Sequence, residues 1–348
     1  MSKLGKLGVS LALSGVFLWV AFAKVDLGAM VARATAVPPL YVTGFFVCLV
    51  LMHLCRVYRW GTLVQPFAPV GRAALFRISG IGLMLMVLLP LRLGELARPY
   101  LLKRATGASL NSGLGAVAVE RTLDGVVVGL MFFGCMAWLP SHYVFPGALR
   151  WAGALALLAF AGLLGGLFAA LWANQWLHWA IRRTVGRMFP NLSARLEHLL
   201  ASFVTGLQAL PSRGHLGGFL AWTAAYWGLN GFGMWLLMRG FGWPLPPIAG
   251  FAVVSVVVIG IMIPAGPGFL GTFQAGILAG LAVFGIERTD AAAYGLVVYP
   301  LTLLVVVGFG LPFLLAGHLR QVREVLTQSR DAAAERGQMP PGNQAGAE

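Results

Sequence analysis

The sequence predicts an all-α, polytopic membrane helix bundle of six to eight spans, and three observations carry that prediction. Hydrophobic residues make up 59% of the chain and charged residues 10%, whereas a soluble domain carries roughly 25% charged residues. The apolar residues gather in runs long enough to cross a bilayer, for which about 20 are needed. Two further apolar runs are broken by Pro and Gly before they could complete a span. The 46 glycines agree with this class, since Gly is commoner in membrane helices than in soluble ones. Such a composition excludes a soluble enzyme, a secreted disulfide scaffold and a disordered tail protein. It also leaves no room for a sizeable catalytic domain beside the membrane part.

Taken in order, the expected spans are residues 7–23, 40–55, 113–139, 151–173, 216–237 and 292–316. The interrupted runs are 80–90 and 248–285, the second broken from Pro264 to Gly268. Lys3 and Lys6 before the first run, with Ala21-Phe22-Ala23 after it, mimic a signal peptide. The run is nevertheless long enough to span, so an uncleaved first helix is expected. Orientation follows from Lys and Arg between the runs. With the N-terminus inside, 19 fall on the inner side (Arg56, Arg59, Arg72 and Arg104 among them) and 5 on the outer: Lys24, Arg33, Arg150, Arg239 and Arg288. Both termini are therefore expected in the cytoplasm. That asymmetry accounts for the net charge of +14 without nucleic acid.

The long inner segment 174–215 carries Leu196, Leu199, Leu200, Phe203, Val204 and Leu207 at helical spacing, which predicts a helix lying on the membrane surface. The membrane domain is expected to end near residue 317. A basic helix and a disordered tail should follow over 318–348. Cys48, Cys55 and Cys135 read as small buried hydrophobes. No His or Cys pair has metal spacing, so neither metal nor cofactor is expected.

The two breaks resemble one another. Ile81-Gly82-Leu83-Met84 precedes Pro90-Leu91-Arg92-Leu93-Gly94, and Ile259-Gly260-Ile261-Met262 precedes Pro264-Ala265-Gly266-Pro267-Gly268. Both end in P-x-x-x-G, 174 residues apart. A break at membrane depth frees backbone groups, which are tolerated only where protein or water lines them. The natural geometry is a re-entrant hairpin. Three spans separate the two, so they would enter from opposite faces, as an inverted repeat. Pro90, Gly94, Pro264, Gly266, Pro267, Gly268 and Gly271 are the expected hinge residues.

Ionisable groups at this depth cost ~2.5–3.5 kcal/mol each on insertion scales, so they are expected to have partners. Arg92, Glu95 and Arg98 follow the first break. Glu120, Arg121 and Asp124 lie in the third long span. Glu120 and Asp124, at i and i+4, share a helix face and need a cation, most simply an Arg of the first group. Two compatible readings follow. One is a buried ion-pair network holding the hairpin against the span. The other is a polar cavity whose arginines engage a lipid phosphate with their planar fork.

The segment from Pro90 through Glu95 and Arg98 to Leu102 resembles the P-x-R-x-G-E-x-x-R-x-x-L-L signature of the flippase-like membrane region of lysylphosphatidylglycerol synthetases. Glu120-Arg121-Thr122-Leu123-Asp124 is similar to that family's E-R-x-x-D, and Pro267-Gly268-Phe269-Leu270-Gly271-Thr272-Phe273-Gln274 to its P-G-x-x-G-T-F-x. Arg56 to Trp60 and Val25-Asp26-Leu27 also fit. The resemblance implies a multi-pass inner-membrane protein with two re-entrant hairpins. It implies movement of lipids, anionic or lipid-linked, between leaflets. The aminoacyl-transferase domain of the full synthetase is not in this sequence, so lysyl transfer, and enzyme activity generally, is not expected. Where many relatives carry a basic residue after an aromatic, Tyr299 is followed here by Pro300. The alternative function is a membrane-embedded accessory or transferase component of lipid or envelope biosynthesis. The expected partners are membrane lipids and not nucleic acid, and an oligomer is compatible with the sequence.

Overall fold

The computed structural model of the chain describes residues 12, 14–19, 21–89, 94–172, 183, 213–262 and 266–337. Among these residues the secondary structure is helical, with no strand. The expected surface helix within 174–215 falls almost wholly outside the described residues, as do the end of the tail, Pro90, Arg92 and Pro264.

Helical residues 14–19 (α1) lead to Asp26, whose carboxylate accepts the Ala29 N–H at 3.0 Å and caps α2, Leu27–Thr35. This helix stands where the charge count placed an outer loop around Arg33. The reason is local, because an Asp N-cap satisfies donors that the first turn would leave orphaned. Two long helices then organise the fold. They are α3 (Pro39–Val64) and, far along the chain, α8 (Arg213–Gly240). They run antiparallel, with Gly44 under Leu236, Gly233 against Cys48, and Tyr58 stacked on Trp222 at 5.2 Å. Glycines at this seam let the helices approach closely, which in a membrane replaces the missing hydrophobic drive.

Each long helix is followed by a short antiparallel pair. After α3 come α4 (Arg72–Leu88) and α5 (Ala97–Thr106). Gly94 meets the backbone of Leu85 and Met86, and Arg98 passes over Gly82, so the returning arm runs back along the first. A Cβ at Gly94 would overlap that backbone, so only glycine fits. After α8 come α9 (Ile248–Ile261), a 3-10 turn at Pro267–Phe269 and α10 (Thr272–Ala282). Here Gly276 faces Val257 and Gly280 faces Val253, again antiparallel. None of the four arms reaches the ~30 Å of a bilayer core; the longest, the 17 residues of α4, measures about 26 Å.

Three long helices complete the bundle: α6 (Leu110–Trp138), α7 (Gly147–Trp172) and α11 (Arg288–Gly337). The 29 residues of α6 measure about 43 Å. Helices α3, α7 and α11 are long and apolar enough to cross a membrane. Helix α6 packs antiparallel on α7, with Gly129 on Leu157 and Phe132 on Gly153, while α4 packs on α11 where Gly80 meets Phe309. Arg33 and Asp290, 3.3 Å apart, tie α2 to the start of α11. The core lies between α3, α8 and α9, with Phe45, Met52, Met234, Leu237 and Val253 buried in it.

Candidate functional site

Helix α6 carries two carboxylates one turn apart, Glu120 and Asp124, and Arg59, Arg98 and Arg121 bring guanidinium groups to them. Glu120 is fully buried and Asp124 nearly so. Arg59, from α3, grips both. Its Nη1 and Nη2 donate to Asp124 Oδ1 and Oδ2 at 2.6 and 2.9 Å, and Nη2 also to Glu120 Oε1 at 2.6 Å. This is the two-pronged geometry for which guanidinium is suited and an ammonium is not. Arg98, from α5, donates to Glu120 Oε2 at 2.9 Å. Its guanidinium lies 4.4 Å from the ring centre of Trp60, within cation–π range. Arg121 reaches Glu120 at 3.1 Å and Asp124 at 3.8 Å. The Trp227 indole N–H donates to Asp124 Oδ1 at 3.2 Å, and the Tyr226 ring centre lies 4.9 Å from the Arg59 guanidinium.

Arg98 thus contacts Glu120 across the hairpin, as the spacing predicted. The principal cation is nevertheless Arg59. The charge distribution places Arg56 and Arg59 in an inner loop, yet α3 continues to Val64 and both are buried within it. The apolar run stops at Cys55, but Val57, Trp60, Leu63 and Val64 prolong its buried face. That continuation is the sequence signal for a helix carrying its arginines inward. Tyr226 and Trp227, in an apolar run of α8, give no comparable signal.

Beside the network lies a cavity of about 380 Å³. Arg121 and Asp124 of α6 and His53 and Arg56 of α3 line it, as do Tyr226, Trp227 and Asn230 of α8. Both hairpins reach it at their turns, the first through Met86, Val87 and Glu95, the second through Met262, Gly268 and Phe269. Tyr299 and Thr302 of α11 close one side. Arg98 and Glu120 brace the wall from behind and do not line it. The second turn is held by hydrogen bonds: Gly266 N–H to Ser14 Oγ (2.7 Å), Gly271 N–H to Gln274 Oε1 (2.8 Å) and Tyr299 O–H to the Gly268 carbonyl (3.0 Å). Gly268 and Gly271 take φ of 72° and 87°, the left-handed region that glycine enters at little cost. Phe269, with φ of 56°, does so with a side chain, a conformation worth about 1–2 kcal/mol of strain. The cavity therefore joins charged and apolar surface, and Arg59, Arg98, Arg121, Glu120 and Asp124 beside it are held by interlocking bonds.

Among the described residues no group of three His, Cys, Asp or Glu is placed to hold a metal ion. No curated protein and no solved structure matches the chain. One family model does, over residues 7–310, a span containing every residue that lines the cavity and both charged motifs. The chain is a multi-pass membrane protein of lipid metabolism or transport, and it belongs to the family described as the lysylphosphatidylglycerol synthase TM region.

Proposed function

We propose that this protein is a lipid transporter of the inner membrane. It moves a phospholipid, or a lipid-linked anionic headgroup, between leaflets and performs no covalent chemistry on it. The observation that carries the reading is the convergence of the two helix breaks on one cavity lined also by Arg56, Glu95, Arg121 and Asp124. Discontinuous helices meeting at mid-depth are how transporters build a substrate site inside a bilayer.

In this reading the arms of each hairpin, too short to span, are re-entrant. Helix α3 with the first hairpin and α6 forms one half of an inverted repeat, and α8 with the second hairpin and α11 forms the other. The antiparallel pairing of α3 and α8 supports the inversion, since equivalent helices then run in opposite directions. With both termini cytoplasmic, the first hairpin enters from the inner face and the second from the outer. Each turn would then guard one route to the cavity, and rocking of one half against the other would expose it alternately. Glu95, Arg121 and Asp124 line and charge the cavity, Arg98 and Glu120 brace its wall, and Arg92 of the same motif lies outside the described residues.

The closed ion-pair network taken alone also fits an accessory component of envelope biosynthesis, in which the charges serve only to brace the helices. Reconstitution into liposomes separates the two. Fluorescent lipids of several headgroup classes are placed in both leaflets, and an impermeant quencher scores their exchange. The transport reading expects faster exchange than in protein-free liposomes for at least one class. Equal rates for every class would overturn it.

A further inference from the structure

Four arginines, Arg56, Arg59, Arg98 and Arg121, are gathered around three carboxylates, and their circumstances differ. Arg59 spends both Nη groups on Glu120 and Asp124. Arg98 is 1% exposed and bound to Glu120. Arg121 is paired to both acidic residues. Arg56 is 8% exposed, makes no hydrogen bond or ion pair among the described residues, and has a buried Nε without a partner. The face of the Tyr226 ring lies 5.8 Å from the Arg56 guanidinium, at the outer limit of a cation–π contact, and no carboxylate comes within 4.0 Å among the described residues. Yet Arg56 lines the cavity.

A guanidinium cannot shed its proton at any ordinary pH. Burying one without an anion is costly, and such charges are found paired or bound to a ligand. We infer that Arg56 is the anion-binding residue of this cavity and takes the phosphodiester of a lipid headgroup, while Arg59, Arg98 and Arg121 brace the wall that presents it. This rests on the transport reading only for the ligand's being a lipid; the anion site rests on geometry.

Two further groups narrow the ligand. His53 Nδ1 lies 3.0 Å from the Leu49 carbonyl, which can only accept, so in the neutral ring Nε2 is an acceptor. That Nε2 is buried without a partner, and His53 lines the cavity one helical turn from Arg56. Glu95 also lines the cavity and makes no ion pair within 4.0 Å among the described residues. Acceptors beside an unpaired cation suit a phosphodiester whose headgroup carries hydroxyl or ammonium donors. Phe45, Leu49, Met86, Val87 and Val257 supply the apolar wall along which the lipid's chains would begin.

The test uses the full chain in detergent and dihexanoyl phosphatidylglycerol as probe, followed by thermal shift. The probe should raise the melting temperature of the wild type. Arg56→Gln should bind it about 10- to 100-fold more weakly, the loss expected for a charge-assisted hydrogen bond. Arg56→Gln should itself melt no lower than the wild type, because no internal partner is stranded. Should it not fold, Arg56→Lys decides the matter, keeping the charge but losing the fork and with it about tenfold in affinity. Unchanged affinity in either folded variant, or no shift in the wild type, overturns the inference. A shift by inorganic phosphate equal to that by the lipid, and lost with Arg56, supports the anion site but overturns its lipid ligand. Leaflet exchange of phosphatidylglycerol that survives Arg56→Gln unchanged would overturn the inference and leave the transport reading standing. Arg56-dependent binding without any leaflet exchange would do the reverse.

Discussion

Removal of Arg59 offers the sharpest test of how the site is held together. The side chains of Arg59 and Glu120 are fully buried, and that of Asp124 is 12% exposed. Arg59→Met keeps similar bulk and deletes three charge-assisted bonds at once. Glu120 retains Arg98 at 2.9 Å and Arg121 at 3.1 Å, so it stays neutralised. Asp124 keeps only the Trp227 N–H at 3.2 Å and a distant Arg121 at 3.8 Å. The cost should therefore be that of stranding one carboxylate, about 3–5 kcal/mol, and not the sum of three bonds. Unfolding by sodium dodecyl sulfate in mixed micelles, followed by fluorescence of the 11 tryptophans, measures it. Adding Asp124→Asn removes the stranded charge. The double variant should then be more stable than the sum of the single changes by about 1–3 kcal/mol. Arg56→Met serves as the comparator and should stay within about 1 kcal/mol of the wild type, because Arg56 has no carboxylate partner to strand. A cost below about 1 kcal/mol for Arg59→Met, or strict additivity in the cycle, would refute the reasoning.

Gly94→Val places a side chain against the backbone of Leu85 and Met86; it should cost about 1–3 kcal/mol or more, and an unchanged melting temperature would show that the arms can part freely. Tyr299→Phe removes one bond to the second turn and should lower stability by about 0.5–1.5 kcal/mol while changing the leaflet-exchange rate more than Thr302→Val does. Single cysteines replacing Arg150 and Arg239 should react with an impermeant maleimide from the outer face, and one replacing Arg104 from the inner face. The three natural cysteines are buried, so background labelling should be low. Outer labelling at position 104 would invert the proposed topology.

The class of the protein and the places where its helices break are legible in the order of its residues. Burial in lipid demands long apolar runs with internally satisfied backbones, and that demand is written locally: in the run of α7, in the Pro and Gly between α4 and α5, and in the left-handed turn at Gly268 and Gly271. The residue order also marks Glu120 and Asp124 as a pair in need of a cation, because helical spacing alone puts them on one face. Which cation answered was decided only by the tertiary structure. Arg59 lies 61 and 65 residues from its partners, and no periodicity connects α3 to α6. The antiparallel seating of α3 on α8 also placed Tyr226 and Trp227 against the charges. Continuation of α3 to Val64 carries Arg56 and Arg59 inward, where the charge distribution alone predicts a loop. Local pattern tells a helix which side is apolar, whereas the partner that a buried charge meets depends on how closely helices distant in the chain can pack, here through Gly44, Gly233 and Gly94.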